Sequence, residues 1–248
     1  MKSMKALVLT YDKYRTFTDH MILCYEKLWP DHPFIFHVPC QELPPTLRTT
    51  KVRYFQCPSD IKGTIQSLLY DLDDDEMIYW CIDDKYPIAL DIKNIEEMHQ
   101  YLTVESSDDV DGLLYCRCRG MLKNKNLTGK TVMDGQGRVW LERRNYKQIW
   151  IHQYLKAKVL RSLFDSFPRE IPAAKTMDLF ASQVVKPEGH RLFVTRSNFS
   201  VFGESTSRGA ITRNCLNSMN AFNLAKPPWA SEVTSEEITM GYLSAGHL

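Results

Sequence analysis

Residues 77–88 read MIYWCIDDKYPI. No charge occurs from Met77 to Ile82, and then Asp83 and Asp84 stand side by side. Two carboxylates at the end of a buried strand supply hard oxygen ligands, the kind that hold Mg²⁺ or Mn²⁺. In an open α/β sheet, ligands bind outside the carboxyl ends of the strands, which is where this pair falls. The alternative is a solvated turn after a strand. A second acidic run, DLDDDE over 71–76, lies at the opposite end of the same strand. Like charges in a connection read most simply as a solvated turn.

The elements that must position the pair follow from apolar spacing. KALVLTY (5–11) is a short apolar run and reads as a buried strand. Met21, Cys24, Tyr25, Leu28 and Trp29 mark one face of a helix that Thr18 caps and Pro30 stops. Strands are predicted over 33–38, 51–57, 77–82 and 112–118, and helices over 61–72 and 92–102. The stretch 123–144 reads as a loop or hairpin, and 190–204 as β-like. Ile151, Tyr154, Leu155, Val159, Leu160 and Leu163 predict an amphipathic helix over 148–164. Strands alternating with helices imply βαβ units and a mainly parallel sheet. No linker interrupts the pattern. The expectation is therefore one α/β domain over 1–248, with a nucleotide-binding half (about 1–118) and an acceptor half (about 119–248).

Composition narrows the function classes. Lys and Arg number 31 against 30 Asp and Glu, a balance that gives no support to nucleic-acid binding driven by net charge. No apolar run is long enough to cross a membrane, and the first one breaks at Asp12, too early for a signal peptide. The seven cysteines are scattered without a CxxC pair, which predicts reduced thiols in a cytoplasmic protein. Cys116 and Cys118 read as alternating strand residues rather than metal ligands.

Several segments, in order, resemble the glycosyltransferases of the GT-A fold, in particular bacterial enzymes that build polysaccharide and lipopolysaccharide. YWCIDDKYP (79–87) resembles their metal-binding segment, where an apolar strand leads into paired aspartates. LVLTYDKYRTF (7–17) looks like their opening strand and nucleotide-facing loop. YKQIWIHQYLKAKVL (146–160) is similar to an acceptor-side segment, AAKTMDLFAS (173–182) to the stretch carrying an acidic residue, and VFGESTSRG (201–209) to a late Gly-Glu…Gly turn. The acidic segment departs from the pattern, since Met177 and Leu179 stand where aromatics are expected.

The resemblance implies a GT-A-like (Rossmann-like) central sheet, mostly parallel and flanked by helices. It implies metal-assisted, inverting transfer of a sugar from a UDP- or GDP-sugar donor to a hydroxyl of a glycan or lipid-linked acceptor. Asp83 and Asp84 would hold Mn²⁺ or Mg²⁺. Thr10, Asp12, Arg15, Asp60 and Arg208 would face the nucleotide, and Gln148 and Trp150 the acceptor. The base would be Asp178, with Glu204 second. Each also has a plainer reading: Asp12 caps a turn, Asp60 caps the 61–72 helix, Trp150 is a core residue, Arg208 is solvated and Asp178 supports its helix. A binding protein of the same fold is the main alternative. A sugar nucleotidyltransferase would need a Gly-rich loop after the first strand, and TYDKYRTFTDH contains no glycine.

Overall fold

The first strand, β1 (Met4–Leu9), sends alternate side chains into two different cores. A computed structural model describes residues 1–105, 109–118, 121–168, 174–184, 186–235 and 239–241. After β1 come α1 (Arg15–Leu28), β2 (Phe34–Cys40), β3 (Val52–Gln56), α2 (Ile61–Leu69), β4 (Met77–Ile82), β5 (Lys85–Leu90) and α3 (Ile92–Gln100). The second half holds β6 (Gly112–Leu114), β7 (Leu127–Met133), β8 (Val139–Arg143), β9 (Gln153–Lys156), α4 (Ala157–Ser166), α5 (Ala174–Gln183) and β10 (Leu192–Thr195). It continues with β11 (Ser200–Glu204), β12 (Thr206–Ser207), β13 (Ala210–Thr212) and α6 (Arg213–Ala221).

Nine strands form the central sheet in the order β3-β2-β1-β4-β9-β6-β10-β8-β7. β1 pairs in parallel with β2 and β4, β2 with β3, and β6 with β10. β9 runs antiparallel to both β4 and β6, and β8 antiparallel to β10 and β7. Only β8 and β9 therefore run against the rest, and the expectation of a mostly parallel sheet flanked by helices holds.

Met4, Ala6 and Val8 pack with Phe17 and Met21 of α1 in one core. Leu7 and Leu9 pack with Ile65 and Leu68 of α2 and Leu160 and Leu163 of α4 in the other. The chain leaves β1 toward β2 and returns to β4 on the opposite side of β1. Crossovers in opposite directions put their helices on opposite faces and leave a crevice beyond the strand ends of β1 and β4.

Three expected elements differ. α1 begins at Arg15, so Thr18 lies inside it, and its hydroxyl donates to Thr10 Oγ1 at 2.8 Å instead of capping. The 148–164 helix is a turn, the strand β9 and then α4. Its first half satisfies helical spacing, but all four β9 residues are buried between β4 and β6. A slot between two sheet edges demands ladder hydrogen bonds, and that tertiary demand overrides local periodicity. The 112–118 strand shortens to Gly112–Leu114. The seven cysteines are free, and Cys116 and Cys118 are buried. No helix among the described residues is long and apolar enough to cross a membrane.

Candidate active site

β4 ends at Ile82, and Asp83 and Asp84 form the turn into β5. The Asp83 N–H donates to the Leu9 carbonyl at 3.3 Å, which ties the turn to the end of β1. The chain then leaves the central sheet, because β5 pairs antiparallel with β11. That register sets Lys85 opposite Glu204 and Tyr86 opposite Gly203. Tyr86 is buried, and a Cβ on Gly203 would lie 2.6 Å from its ring, so glycine leaves the room that the ring occupies against β11.

A cavity of about 510 Å³ opens at this junction. Leu9, Thr10, Tyr11 and Tyr14 line it from the end of β1, and Ile82, Asp83, Asp84 and Lys85 from β4 and β5. Gln148, Trp150, Met177, Glu204 and Thr206 come from the second half of the chain. Residues from both halves thus meet at the crevice that the strand order predicts.

The charges are unevenly distributed. Asp83 is buried, whereas the Asp84 side chain is 40% exposed. Burial, and secondarily the neighbouring Asp84 carboxylate, push Asp83 up to about 8, against the pull of the Thr10 hydroxyl and Lys85. Lys85 Nζ lies 2.8 Å from Asp84 Oδ1 and 3.6 Å from Glu204 Oε1. Burial works against the ammonium, but Asp84 and Glu204 outweigh it and hold Lys85 above its ordinary range. Burial first, and then Asp60 and Asp83, push the Tyr11 phenol up, so it stays a neutral donor.

Behind the turn, His152 Nε2 lies 3.0 Å from the Ile82 carbonyl, and its Nδ1 lies 2.8 Å from the Tyr25 hydroxyl. Tyr25 in turn bonds Tyr79 at 2.7 Å, and Tyr79 bonds Tyr115. On the other wall, Gln153 Nε2 donates to the carbonyls of Gln148, Ile149 and Ile151 at 2.8, 3.3 and 3.1 Å. The buried Arg143 holds Gln153 Oε1 at 2.8 Å and the Lys147 carbonyl. Gln148 takes a left-handed backbone, φ 66°, within this pinned loop.

The other nominated residues lie around this centre. Asp12 accepts from the backbone N–H groups of Gln41, Glu42 and Leu43 and from Arg15, which anchors the loop after β2. Arg15 is buried and also donates to the Pro39 carbonyl at 3.2 Å. Asp60 caps α2, accepting from the Gly63 N–H at 2.7 Å. Neither Asp12, Arg15 nor Asp60 lines the cavity. Arg208, φ 52°, is exposed beside Gly209, φ 88°, at the tip of the β12–β13 hairpin. Trp150 is half-buried against Phe164 and Phe167 while lining the cavity. Asp178 sits mid-way along α5, and its side chain lies outside the described residues. Its neighbour Met177 lines the cavity.

Sequence reasoning passed over Lys85, Tyr11 and Tyr14. Lys85 was visible as the charge directly after the paired aspartates. Its burial and its partner on β11 were not, because both depend on strand pairing 119 residues apart in register.

No protein-family model and no curated protein sequence matches the chain. Distant likenesses to solved structures do occur. The 1–349 portion of TarS from S. aureus has 14% identity and a TM-score of 0.44, covering 81% of this chain and 60% of that one. The galactosyltransferase LgtC, solved with donor and acceptor sugar analogues, has 12% identity and a TM-score of 0.40 over 98% and 88% of the two chains. The 2-C-methyl-D-erythritol 4-phosphate cytidylyltransferase of Francisella tularensis has 12% identity and a TM-score of 0.41 over 89% and 99%. The functional reading stands on the residues of the cavity.

Proposed function

We propose that the protein is a glycosyltransferase that moves a sugar from a nucleotide-diphosphate sugar to a hydroxyl acceptor, with inversion. The observation that carries this reading is the placement of Asp83 and Asp84 at the floor of a cavity walled by both halves of the chain. Thr10 and Tyr11 offer hydroxyls on the donor side, and Trp150 and Gln148 offer a ring face and an amide on the acceptor side. The acceptor is a glycan or a lipid-linked saccharide, met in the cytoplasm or at the inner membrane face.

The donor set at the floor fits Mg²⁺ or Mn²⁺. Among the described residues no third His, Cys, Asp or Glu joins the pair in a metal-binding group. Two carboxylates are what such ions take when phosphate oxygens and waters complete the shell. Burial first, and then the Asp84 carboxylate, raise the Asp83 pKa, and a cation bound beside both carboxyl groups would favour the ionised form. Held by Asp83 and Asp84, such an ion would supply neutralising charge for the departing diphosphate. The chain's own groups supply the rest. The acceptor oxygen forms its bond to the anomeric carbon as the bond from that carbon to the phosphate oxygen breaks. The electron pair leaves with the diphosphate, and the acceptor proton passes to Asp178, with Glu204 the second candidate base.

Incubation with UDP- and GDP-sugars and Mn²⁺ tests the reading. At least one donor is expected to release free nucleoside diphosphate slowly, and Asp84→Asn to stop that release. A donor present at about 100 times its Kd stabilises the fold by about 2.7 kcal/mol. The absence of both nucleotide release and thermal stabilisation with every donor would overturn the proposal.

A further inference from the structure

We infer that Lys85 is a diphosphate-binding residue, and that its ammonium and a divalent cation compete for Asp84. The inference rests on the glycosyl-transfer reading and names a residue that the reading does not itself require.

Charge carries the argument. Among the described residues that line the cavity, Asp83, Asp84 and Glu204 are acidic and Lys85 is the sole cation. A diphosphate entering that space meets three carboxyl groups. A divalent cation on Asp83 and Asp84 offsets two of them. Glu204 and the incoming anion then still face each other, and Lys85 lies between Asp84 and Glu204. An ammonium has three N–H donors. Two face the Asp84 and Glu204 carboxylates. The third has no protein acceptor among the described residues and belongs to a side chain that lines the cavity.

Rigidity makes the group a usable ligand. Lys85 is only 7% exposed, and cross-strand pairing of β5 with β11 fixes it opposite Glu204. An ammonium already held in place loses little conformational entropy when an anion arrives. The same contact has a second consequence. Asp84 cannot give its full charge to a metal ion while Lys85 holds Oδ1 at 2.8 Å. Removing the ammonium should therefore weaken the anion and strengthen the cation. A lysine with a merely structural role would weaken both.

Binding of UDP and GDP in the presence of Mn²⁺, followed by calorimetry, and of Mn²⁺ alone, followed by paramagnetic resonance, separates these outcomes. In Lys85→Met, affinity for whichever nucleoside diphosphate the wild type binds should fall about 10- to 100-fold, the loss of a charge-assisted hydrogen bond. Affinity for Mn²⁺ alone should rise. Lys85→Arg, which keeps the charge, should retain the nucleoside diphosphate within a few-fold. Unchanged nucleoside diphosphate binding in Lys85→Met overturns the Lys85 assignment and leaves the glycosyl-transfer reading intact. Loss of both ligands in Lys85→Met also overturns the assignment, since it marks a structural lysine. A wild-type protein that binds neither UDP nor GDP overturns the reading and the inference together.

Discussion

His152 Nε2 lies 3.0 Å from the carbonyl oxygen of Ile82, the residue immediately before Asp83. Burial holds the imidazole down to about 4, so it is neutral at pH 7 and carries one N–H. A carbonyl only accepts, so that hydrogen is on Nε2, and Nδ1 accepts from the Tyr25 hydroxyl. Tyr25 then accepts from Tyr79, and Tyr79 from Tyr115. The order of donors runs one way, from the interior toward the turn that carries the paired aspartates.

Replacing His152 by Phe strands the Tyr25 hydroxyl and the Ile82 carbonyl in the core. Each unpaired buried group costs about 1–3 kcal/mol, so a total loss of about 2–6 kcal/mol is expected. The urea midpoint measures it, and an unchanged midpoint would remove the network from the account.

Asp83→Asn should trade function for stability. Burial disfavours the Asp83 carboxylate, and a neutral amide of the same shape avoids that penalty. The variant should unfold at higher urea than the wild type at pH 8–9, yet lose Mn²⁺-dependent nucleotide binding. Asp84→Asn, at a half-open side chain, should lose the same binding with a stability change of no more than about 1 kcal/mol. A fall in midpoint for Asp83→Asn would contradict the assigned charge state.

Acid should destabilise the fold between pH 6.5 and 4. His20, His32, His37 and His152 are each held down to about 4, with burial the leading cause. Their folded pKa lies below the unfolded value, so their stabilising effect is full above pH 6.5. It is lost as pH falls and the unfolded chain takes protons that the native one refuses. Asp19, raised to about 6, and Asp83 act in the opposite direction, but the histidines outnumber them. Urea midpoints at pH 7 and 4.5 measure the net effect, and a higher midpoint at pH 4.5 would refute it.

Gly203→Ala would drive a methyl into the buried Tyr86 ring at 2.6 Å. Overpacking of this kind costs about 1–3 kcal/mol, and here it also shifts the strand that carries Glu204. A thermal midpoint equal to that of the wild type would show that β11 can move away without cost.

The two candidate bases separate kinetically. Asp178→Asn is expected to cut turnover by about 100-fold or more with donor binding kept within a few-fold. Glu204→Gln, which removes a partner of Lys85, is expected to alter donor affinity as well. Single-turnover rates and nucleotide affinities measured side by side distinguish them, and full turnover in Asp178→Asn would shift the role to Glu204.

The sequence by itself determined β1 to β4 and α1 to α3 to within a few residues, because each is local, whereas β5 went unread because its partner is the distant β11. The uncharged run Met77–Ile82 coincides with β4 residue for residue, and the paired aspartates fall at its carboxyl end because charge cannot continue a buried strand. For Asp60 the sequence offered the α2 cap beside a nucleotide-facing role, and the cap forms because its bond spans only three residues. What only the tertiary structure decided is non-local. Residues 153–156 carry helical spacing, yet they became β9 because two sheet edges lay open on either side. Asp12 and Arg15 read as ligand-facing residues, yet they bond the loop after β2, since that loop's backbone donors are within reach only once the chain has folded back. Lys85 stood in plain view beside Asp84, but its burial and its contact with Glu204 arise from the pairing of β5 with β11. That pairing joins segments more than a hundred residues apart, and no local pattern of residue types encodes such a distance.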